Sequence, residues 1–354
     1  MLLSPVPGGG CSIAAVEDFS LAFGSSLDPQ KLTALLARRT GIEQSLVGNE
    51  TRPTESELAL YGREIAEALF SGGAQTLYAV LGGQETIEVT VAAGDKDTKR
   101  VPWEYVVWPD VNQAPHAGRS VARIVAVSNI ARHQPRPLKS AKLKVLLIGA
   151  DVLGGDPIPW DETKANLETI FGKRINDPDN PIAVDLTIEQ GATREQFSEA
   201  VLKRAYDIIH FIGHGQSDGL FLARKDGAEG DLLSKNALNV LMAQAKPGLL
   251  FLSACNTGAI LDGIEFDSLA ESLIQTGVPA VIAHQMPINL RAIADFAAAV
   301  YSSLLSEGNI DKAVNEGRMR LAVQLGDAQS APIEWGIPVL YRRPGCSQMF
   351  AREG

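Results

Sequence analysis

One histidine and one cysteine in this chain each follow directly on a run of apolar residues. Residues 208–215 read Ile-Ile-His-Phe-Ile-Gly-His-Gly and contain His214, and residues 249–258 read Leu-Leu-Phe-Leu-Ser-Ala-Cys-Asn-Thr-Gly and contain Cys255. A short apolar run bounded by turn residues is typical of a buried strand. Open α/β sheets place ligands and reactive groups at the carboxyl ends of their strands. The two motifs therefore predict a thiol and an imidazole base at one edge of a sheet.

Such a pair predicts nucleophilic catalysis. A free cysteine has a pKa near ~8.5, so a neighbouring base or cation must lower it before much of the thiol is thiolate at neutral pH. Adjacent strands lie about 4.8 Å apart and consecutive strands often pair, so His214 at one strand end could reach Cys255 at the next. Gly215 has no side chain to block a substrate carbonyl, and its N–H, with that of Cys255, could stabilise an oxyanion.

Each of these residues also has a structural interpretation. A cysteine in an apolar strand is usually a small buried hydrophobe, and a strand-end histidine is usually a hydrogen-bonded polar group. His210, deeper on the same strand face as His214, and His284, at the end of a later apolar run, are interpreted in this way. For His214 and Cys255 the combination of two successive strand ends, each followed by turn residues, favours a catalytic role.

Strands and helices alternate along the carboxyl-terminal half. Besides the two motif strands, apolar runs predict strands at 142–151, 182–187, 280–284 and 336–343, and turn residues predict a hairpin at 219–233. Helical spacing and capping residues predict helices at 161–171, 193–204, 234–245, 266–275, 289–306 and 310–325. This alternation is typical of a mostly parallel sheet of six strands with helices on both faces.

The amino-terminal third has a weaker pattern. Asp28 and Pro29 predict the start of a helix that continues to Arg39, and Thr54 with Glu57 forms a capping-box pattern for a second helix to Phe70. Two further segments, residues 86–91 and 121–127, have the composition of short strands. Residues 1–53 receive no functional assignment.

Composition and charge limit the function classes. The 354 residues are 45% hydrophobic and 21% charged, which is ordinary for a globular protein of about two domains. A net charge of -10 disfavours nucleic acid and anionic membranes as partners. Three cysteines without paired spacing and five scattered histidines predict no disulfide framework, no metal and no cofactor. The absence of signal-peptide and membrane-span patterns leads us to expect a cytoplasmic protein.

The motif stretches resemble the CHAT family of caspase-like, clan CD cysteine peptidases. The resemblance rests on residues 208–215, on 249–258 and on Trp-Gly-Ile-Pro-Val-Leu-Tyr-Arg-Arg at 335–343, with Val-Pro-Trp-Glu at 101–104 as an upstream signature. It implies a caspase-like three-layer α/β sandwich at 137–348. It also implies a degenerate caspase-like or accessory region at 54–136.

The resemblance also implies roles for individual residues and partners. By motif, His214 is the general base and acid, Cys255 the nucleophile, and the Gly215 N–H an oxyanion donor. Family members act in bacterial signalling and antiviral defence and often cleave one partner protein, which in some cases is a gasdermin-like pore former. The repeat modules usual in the family are not seen in this sequence, and an upstream sensor or activator is a further expected partner.

Substrate-binding candidates follow from the same resemblance. Many relatives that cut after basic residues carry an acid two positions before the cysteine, where this chain has Ser253, so a basic preference is not supported. Asp218 is the nearest alternative acid, although turn chemistry explains it as well. Residues 285–289 are expected to line the groove, with Met286 and Pro287 as apolar wall and Gln285 as a polar contact; Pro287 could equally just end a strand.

Two other functions remain open on the sequence alone. A catalytically inactive caspase-like module could use the same cleft to bind the tail of a partner protein, and its Cys255 would then react like an ordinary thiol. A small-molecule amidase or thioesterase could use the same two residues as an endopeptidase. Both alternatives keep the predicted fold.

Overall fold

The chain folds into two compact units in a computed structural model. The first comprises residues 1–124 and 318–337, and the second residues 125–317 and 338–354. The structure describes residues 2–6, 10–15, 21–24, 28–47, 52–70, 75–76, 78–79, 87–91, 96–125, 136–137, 142–152, 158–176, 182–224, 230–254, 268–288, 290–324 and 333–351. The predicted boundaries at 53, 136 and 348 stay predictions.

The first unit combines a small sheet with helices. Its strands are β1 (Leu2–Val6), β2 (Gly10–Ala15), β3 (Leu21–Gly24), β4 (Ile87–Val91) and β5 (Arg119–Ile124), in the order β3-β2-β1-β4-β5. Its helices are α1 (Pro29–Val47), α2 (Glu55–Leu69) and α3 (Lys96–Arg100), with 3-10 turns at Trp103–Tyr105 and Ile333–Gly336. β1 pairs antiparallel with β2, whereas β4 pairs parallel with both β1 and β5. The strands predicted near 86–91 and 121–127 are thus confirmed.

A buried ion pair stabilises the segment that carries the Val-Pro-Trp-Glu sequence. Glu104 accepts two hydrogen bonds from the guanidinium of Arg123, at 3.0 and 2.8 Å, and both residues are buried. The same guanidinium donates to the carbonyl oxygens of Lys99 and Val101, so the charged group is well satisfied. The fully buried indole of Trp103 donates to the carbonyl of Thr98. These contacts give the signature a structural explanation within the first unit.

The second unit contains the predicted six-stranded sheet. Its strands are β7 (Leu143–Gly149), β8 (Val184–Glu189), β9 (Ile208–Ile212), β13 (Leu249–Ser253), β14 (Ala280–His284) and β15 (Pro338–Arg342). Their order is β15-β14-β13-β9-β7-β8, with β14 and β15 antiparallel and the other pairs parallel. Continuous apolar runs form the strands inside the sheet because both of its faces are covered, whereas β8 at its end is half-buried and alternates apolar and polar residues.

Helices cover both faces of this sheet. The helices of the second unit are α4 (Trp160–Ile175), α5 (Arg194–Leu202), α6 (Lys235–Ala245), α7 (Leu269–Gln275) and α8 (Leu290–Glu307), and the division between the units falls within α9 (Ile310–Gln324). On β9, His210 stacks near Tyr301 of α8, whereas the next residue, Phe211, packs edge-to-face on Phe197 of α5. Successive strand residues point to opposite faces, so α8 and α5 lie on opposite faces. This is the three-layer arrangement expected from the sequence.

A smaller antiparallel sheet follows β9. Its strands are β10 (His214–Gln216), β11 (Gly219–Leu222) and β12 (Asp231–Ser234), in that order, so β10 is an edge strand. The predicted hairpin at 219–233 is formed by β11 and β12, while its charged tip at 225–229 lies outside the described residues. Two short strands, β6 (Arg136–Pro137) and β16 (Phe350–Ala351), pair in parallel elsewhere in the unit.

The two helix starts predicted from capping-box patterns are confirmed. Thr54 and Glu57 form a capping box at the start of α2, and Thr193 and Gln196 form another at α5. Helix α1 begins at Pro29 as predicted but continues to Val47, beyond the predicted end at Arg39. Among the residues that the structure describes, no helix has the length and apolar character needed to cross a bilayer.

Candidate active site

The site is built on two adjacent parallel strands, β9 and β13. Ser253, the last residue of β13, pairs with Ile212, the last residue of β9. One residue further, the backbone N–H of Gly213 donates to the carbonyl oxygen of Ser253 over 3.2 Å. The predicted pairing of the two motif strands is confirmed. The chain therefore leaves both strands at the same edge of the sheet, immediately before His214 and Cys255.

The register indicates how the two reactive residues would be arranged. Phe251 pairs with His210 and Ser253 with Ile212, and all four lie on one face because strand residues alternate between faces. Position 255 comes two residues after Ser253, and His214 comes two residues after Ile212, where it begins β10, so each follows its paired residue at the same distance. Cys255 itself lies outside the described residues, which end at Ala254 and resume at Ser268. Its side chain and backbone N–H therefore stay predictions.

His214 is held at this edge with part of its imidazole unused. It is the first residue of β10, where it pairs with Phe221, and its side chain is half-buried. Its Nε2 atom is shielded from solvent yet has no hydrogen-bond partner among the described residues. A catalytic base has such a nitrogen available for a reacting group.

Gly215 presents its backbone to the open edge of β10. Ser217 and Asp218 form a two-residue turn, and the strands pair as Gln216 with Gly219, then Gly215 with Leu220. A two-residue hairpin is closed by a hydrogen-bonded pair, and hydrogen-bonded and non-hydrogen-bonded pairs then alternate. Gly215 falls at a non-hydrogen-bonded position, so its N–H points away from β11. This orientation suits the predicted oxyanion donor.

A buried polar cluster lies beneath the two strand ends. The Nε2 atom of His210 and the Oγ atom of Ser253 are 2.8 Å apart, and the hydroxyl of Tyr301 is 3.4 Å from Nδ1 of the same ring. The His210 ring also stacks on Phe251, with centroids 4.3 Å apart and planes at 12°. Burial lowers the pKa of His210 to about 3, aided by the nearby His284. His210 is therefore the neutral, hydrogen-bonded core residue expected from the sequence.

His284 differs from His210 in its surroundings. It ends β14, it is fully buried, and neither ring nitrogen has a hydrogen-bond partner within the described part of the chain. Its closest aromatic neighbour is Phe296, with ring centroids 6.4 Å apart. Burial lowers its pKa to about 3, which leaves the ring neutral at physiological pH. Its position inside the core agrees with a structural role.

The substrate-binding candidates differ in accessibility. Asp218 is exposed in the β10–β11 turn, where its carbonyl accepts the N–H of Lys235, so its turn role is established by the backbone. Gln285 is 1% exposed and Met286 is fully buried, whereas Pro287 is partly exposed. Of the three groove candidates, only Pro287 could touch a substrate without rearrangement. The binding roles of Asp218, Gln285, Met286 and Pro287 stay predictions.

Some contacts at the site were not visible in the sequence. The inward hydrogen bond of Ser253 and the contribution of Tyr301 depend on helix α8 packing over the sheet. No sequence signal distinguished Tyr301 from the other aromatic residues. Within the described ranges, no group of three or more histidine, cysteine or acidic side chains is arranged to hold a metal ion.

Comparisons with known proteins concern both sequence and fold. The family model of the CHAT domain matches residues 61–343. The crystal structure of the Arg-specific cysteine proteinase gingipain R superimposes with a TM-score of 0.51 at 11% identity, covering 86% of this chain and 70% of that chain. The complex of the pro- and mature domains of RgpB from Porphyromonas gingivalis gives 0.51 and 11%, covering 86% and 72%.

A more distant likeness is found to separase. The separase–securin complex of Saccharomyces cerevisiae gives a TM-score of 0.44 at 11% identity, covering 90% of this chain but 22% of that chain. No curated protein matches the sequence. The likeness to gingipain R, together with the sheet order and the two helical layers, confirms the caspase-like α/β fold.

Proposed function

Since this chain belongs to the CHAT domain family, we propose that it is a cysteine endopeptidase with Cys255 as nucleophile and His214 as general base and acid. One observation carries the proposal. In the parallel register of β9 and β13, extended by the hydrogen bond from Gly213 to Ser253, the chain leaves both strands at one sheet edge, which supports the pairing of the two residues that follow. The second support is the Nε2 atom of His214, which has no hydrogen-bond partner among the residues that the structure describes.

The first chemical step is acylation. His214 takes the thiol proton of Cys255, and the thiolate attacks the peptide carbonyl carbon to form a carbon–sulfur bond. The carbonyl oxygen becomes an oxyanion, which the N–H groups of Gly215 and Cys255 stabilise. When the intermediate collapses, the carbon–nitrogen bond breaks and the imidazolium of His214 protonates the leaving amine. The amino-terminal part of the substrate is now bound to Cys255 as a thioester, and the carboxyl-terminal fragment leaves with a new amino terminus.

Deacylation restores both residues. His214 removes a proton from water as the water oxygen attacks the thioester carbon. The same oxyanion donors stabilise the second tetrahedral intermediate. The carbon–sulfur bond then breaks, the carboxylic acid leaves, and the thiol proton returns to Cys255 from His214. No metal or organic cofactor takes part in either step of this proposal.

The proposed substrate is a segment of one partner protein. Gly215 lies on the open edge of β10, where an extended peptide could place its carbonyl against the backbone N–H. Family resemblance makes a gasdermin-like pore former the first partner to test, with a cytoplasmic role in bacterial signalling or antiviral defence. An upstream sensor or activator in a separate chain belongs to the same hypothesis.

The decisive experiment is cleavage profiling of a peptide library, read by mass spectrometry. Wild-type protein is compared with Cys255→Ala and with Cys346→Ala, which removes a buried thiol elsewhere in the second unit. Sequence-selective cuts by the wild type and Cys346→Ala, with none by Cys255→Ala, are expected. Cleavage by Cys255→Ala would refute the assignment.

The same assay separates the other functions. Turnover of small amides or thioesters, without any peptide cleavage, would identify the amidase or thioesterase function. Absence of all turnover, together with alkylation of Cys255 no faster than that of an ordinary thiol, would identify an inactive interaction module. Thermal unfolding of each variant verifies that the comparison is between folded proteins.

A further inference from the structure

The side chains beneath the two strand ends form a cross-strand connection. Ser253 on β13 is paired by register with Ile212, yet its hydroxyl contacts His210, two residues earlier on β9. The hydrogen bond thus runs diagonally between the strands. Ser253 is 1% exposed and His210 is fully buried, so water does not compete for this bond.

The imidazole of His210 is fixed from three directions. Ser253 contacts Nε2, the hydroxyl of Tyr301 lies near Nδ1, and the ring of Phe251 stacks on its face. A neutral imidazole has one N–H donor and one acceptor nitrogen, and a hydroxyl can serve as either partner. Both ring nitrogens can therefore be satisfied at once.

The cluster has no charge to exchange at neutral pH. Burial keeps the imidazole of His210 neutral and raises the pKa of Tyr301 well above its usual range. A cluster that neither gains nor loses a proton near pH 7 cannot act there as a general acid or base. Its contribution to a reaction would be geometric.

We propose that Ser253 is a positioning residue, which through His210 fixes the spacing and register of the strand ends that carry Cys255 and His214. Ser253 is two residues before Cys255, and His210 is four residues before His214, so their hydrogen bond joins the two strands close to both strand ends. The proposal rests on the proposed function. Ser253 occupies the position where many relatives that cut after basic residues carry an acid. The proposal assigns it to the core rather than to the substrate groove.

Ser253→Ala tests the proposal by removing one hydroxyl. A small misplacement of reacting groups can cost a factor of about 100, so we expect kcat to fall by about 10-fold to 100-fold. Substrate contacts are retained, so KM should change by less than about threefold. The pH midpoint of Cys255 alkylation should rise toward that of a free thiol, about 8.5, because the imidazole is less well placed.

Ser272→Ala is the matched control. Ser272 is also a buried serine of the second unit, and its hydroxyl donates to the carbonyl of Leu269 within α7, away from β9 and β13. It should lower the unfolding temperature without changing kcat or the alkylation profile. Equal effects of Ser253→Ala and Ser272→Ala on all three measurements would overturn the positioning role.

Two substitutions of His210 give an independent test if Ser253→Ala does not fold. His210→Gln keeps a polar group near the position of Nε2 and should retain more of kcat than His210→Leu. In a double-mutant cycle, Ser253→Ala should add little to His210→Leu, because both remove the same bond. Additive losses, or equal kcat for the two His210 variants, would contradict the proposal.

The wild-type measurements distinguish failure of the proposed peptidase function from failure of the positioning role of Ser253. If wild-type Cys255 alkylates like a free thiol and no substrate is cleaved, the proposed function fails and the positioning role fails with it. If the wild type is active but Ser253→Ala follows the Ser272→Ala control, only the positioning role is lost.

Discussion

The backbone N–H of Gly213 donates to the carbonyl oxygen of Ser253 over 3.2 Å, which extends the pairing of β9 and β13 by one residue. Gly213 comes immediately before His214, and Ser253 comes two residues before Cys255. Residues 41 positions apart in register, such as Ile212 and Ser253, thereby lie side by side. The proposed catalytic pair has the same separation and follows directly on this bond.

Replacement of His214 should turn Cys255 into an ordinary thiol. In His214→Ala the imidazole that lowers the thiol pKa is lost, so the alkylation rate against pH should show a midpoint near about 8.5. His116→Ala, in the first unit, is the control and should leave the profile unchanged. Iodoacetamide labelling with peptide mapping of Cys255 gives the measurement. An identical profile for His214→Ala and wild type would exclude His214 as the base.

Gly215 should affect the oxyanion without affecting the thiol. Gly215→Pro removes the backbone N–H and is sterically reasonable on an edge strand, since Gly215 is not among the described glycines with positive φ. Loss of one oxyanion donor typically costs about 10²-fold to 10³-fold in kcat. Alkylation of Cys255 forms no oxyanion, so its rate should be retained.

Gly215→Ala serves as the partner variant for this test, because it keeps the N–H and adds only a methyl group. Its kcat should stay much closer to wild type than that of Gly215→Pro. A similar loss in both variants would indicate steric blocking rather than a missing donor. Circular dichroism and thermal unfolding verify that both variants fold.

The ion pair of Glu104 and Arg123 should contribute to stability above acidic pH. Burial acts to raise the pKa of Glu104, but the Arg123 guanidinium outweighs burial and holds that pKa below its usual range. A carboxyl whose pKa is lower in the folded state than in the unfolded state contributes stability at pH values above the unfolded pKa. This contribution is lost as the pH falls through the folded pKa. Stability should therefore decline below about pH 4.5, the unperturbed value of the carboxyl.

Glu104→Gln should cost about 3 kcal/mol at pH 7, because it leaves Arg123 buried without its counter-ion. The control is Asp231→Asn, which breaks an exposed pair with Arg194 and should cost less than about 1 kcal/mol. Urea unfolding at several pH values measures both. The prediction is wrong if the two substitutions have equal cost or if Glu104→Gln keeps the full acid dependence.

The two buried histidines should respond oppositely to the same substitution. His284→Leu replaces a ring whose two nitrogens have no hydrogen-bond partner in the described part of the chain, so it should raise the free energy of unfolding. His210→Leu leaves the hydroxyls of Ser253 and Tyr301 without their partner and should lower it. Chemical denaturation at pH 7.5 compares them. A loss of similar size in both variants would indicate that packing volume dominates.

His210 and His284 should also make the free energy of unfolding depend on pH. Burial lowers the pKa of both His210 and His284 to about 3, while an unfolded histidine has a value near 6.5. Protons then bind the unfolded state first, so stability is complete above pH 6.5 and falls toward pH 3, by about 1.4 kcal/mol per pH unit for each ring. Removing His284 should halve this component of the slope between pH 6 and 4.

Much of the fold could be predicted because its signals are local. The strands inside the sheet of the second unit appear as short apolar runs, since a strand buried on both faces needs apolar side chains, whereas the half-buried β8 at its end alternates apolar and polar residues. Thr54 and Thr193 marked helix starts because a capping box is formed by residues three apart. The end of α1 was misplaced by eight residues, from Arg39 to Val47, because the helix continues through Gly41, although glycine often follows the end of a helix.

The site was predictable only in part. The motif around His214 identified a strand end, and strand order could be expected from the usual pairing of consecutive strands. The exposure of the individual groove candidates could not be predicted, because it depends on which residues pack over them. Met286, which follows β14, is fully buried, although the family resemblance led us to expect it in the wall of the groove.

By itself, the sequence determined the order of strands and helices in the carboxyl-terminal half and the strand ends that precede the two candidate reactive residues, because periodicity and turn residues act over a few positions. Only the tertiary structure decided that Gly213 bonds to Ser253, that Ser253 bonds to His210, and that Tyr301 lies near the same ring. These contacts join residues between 40 and 91 positions apart. They exist because a parallel sheet aligns distant strands in register and a helix packs across them.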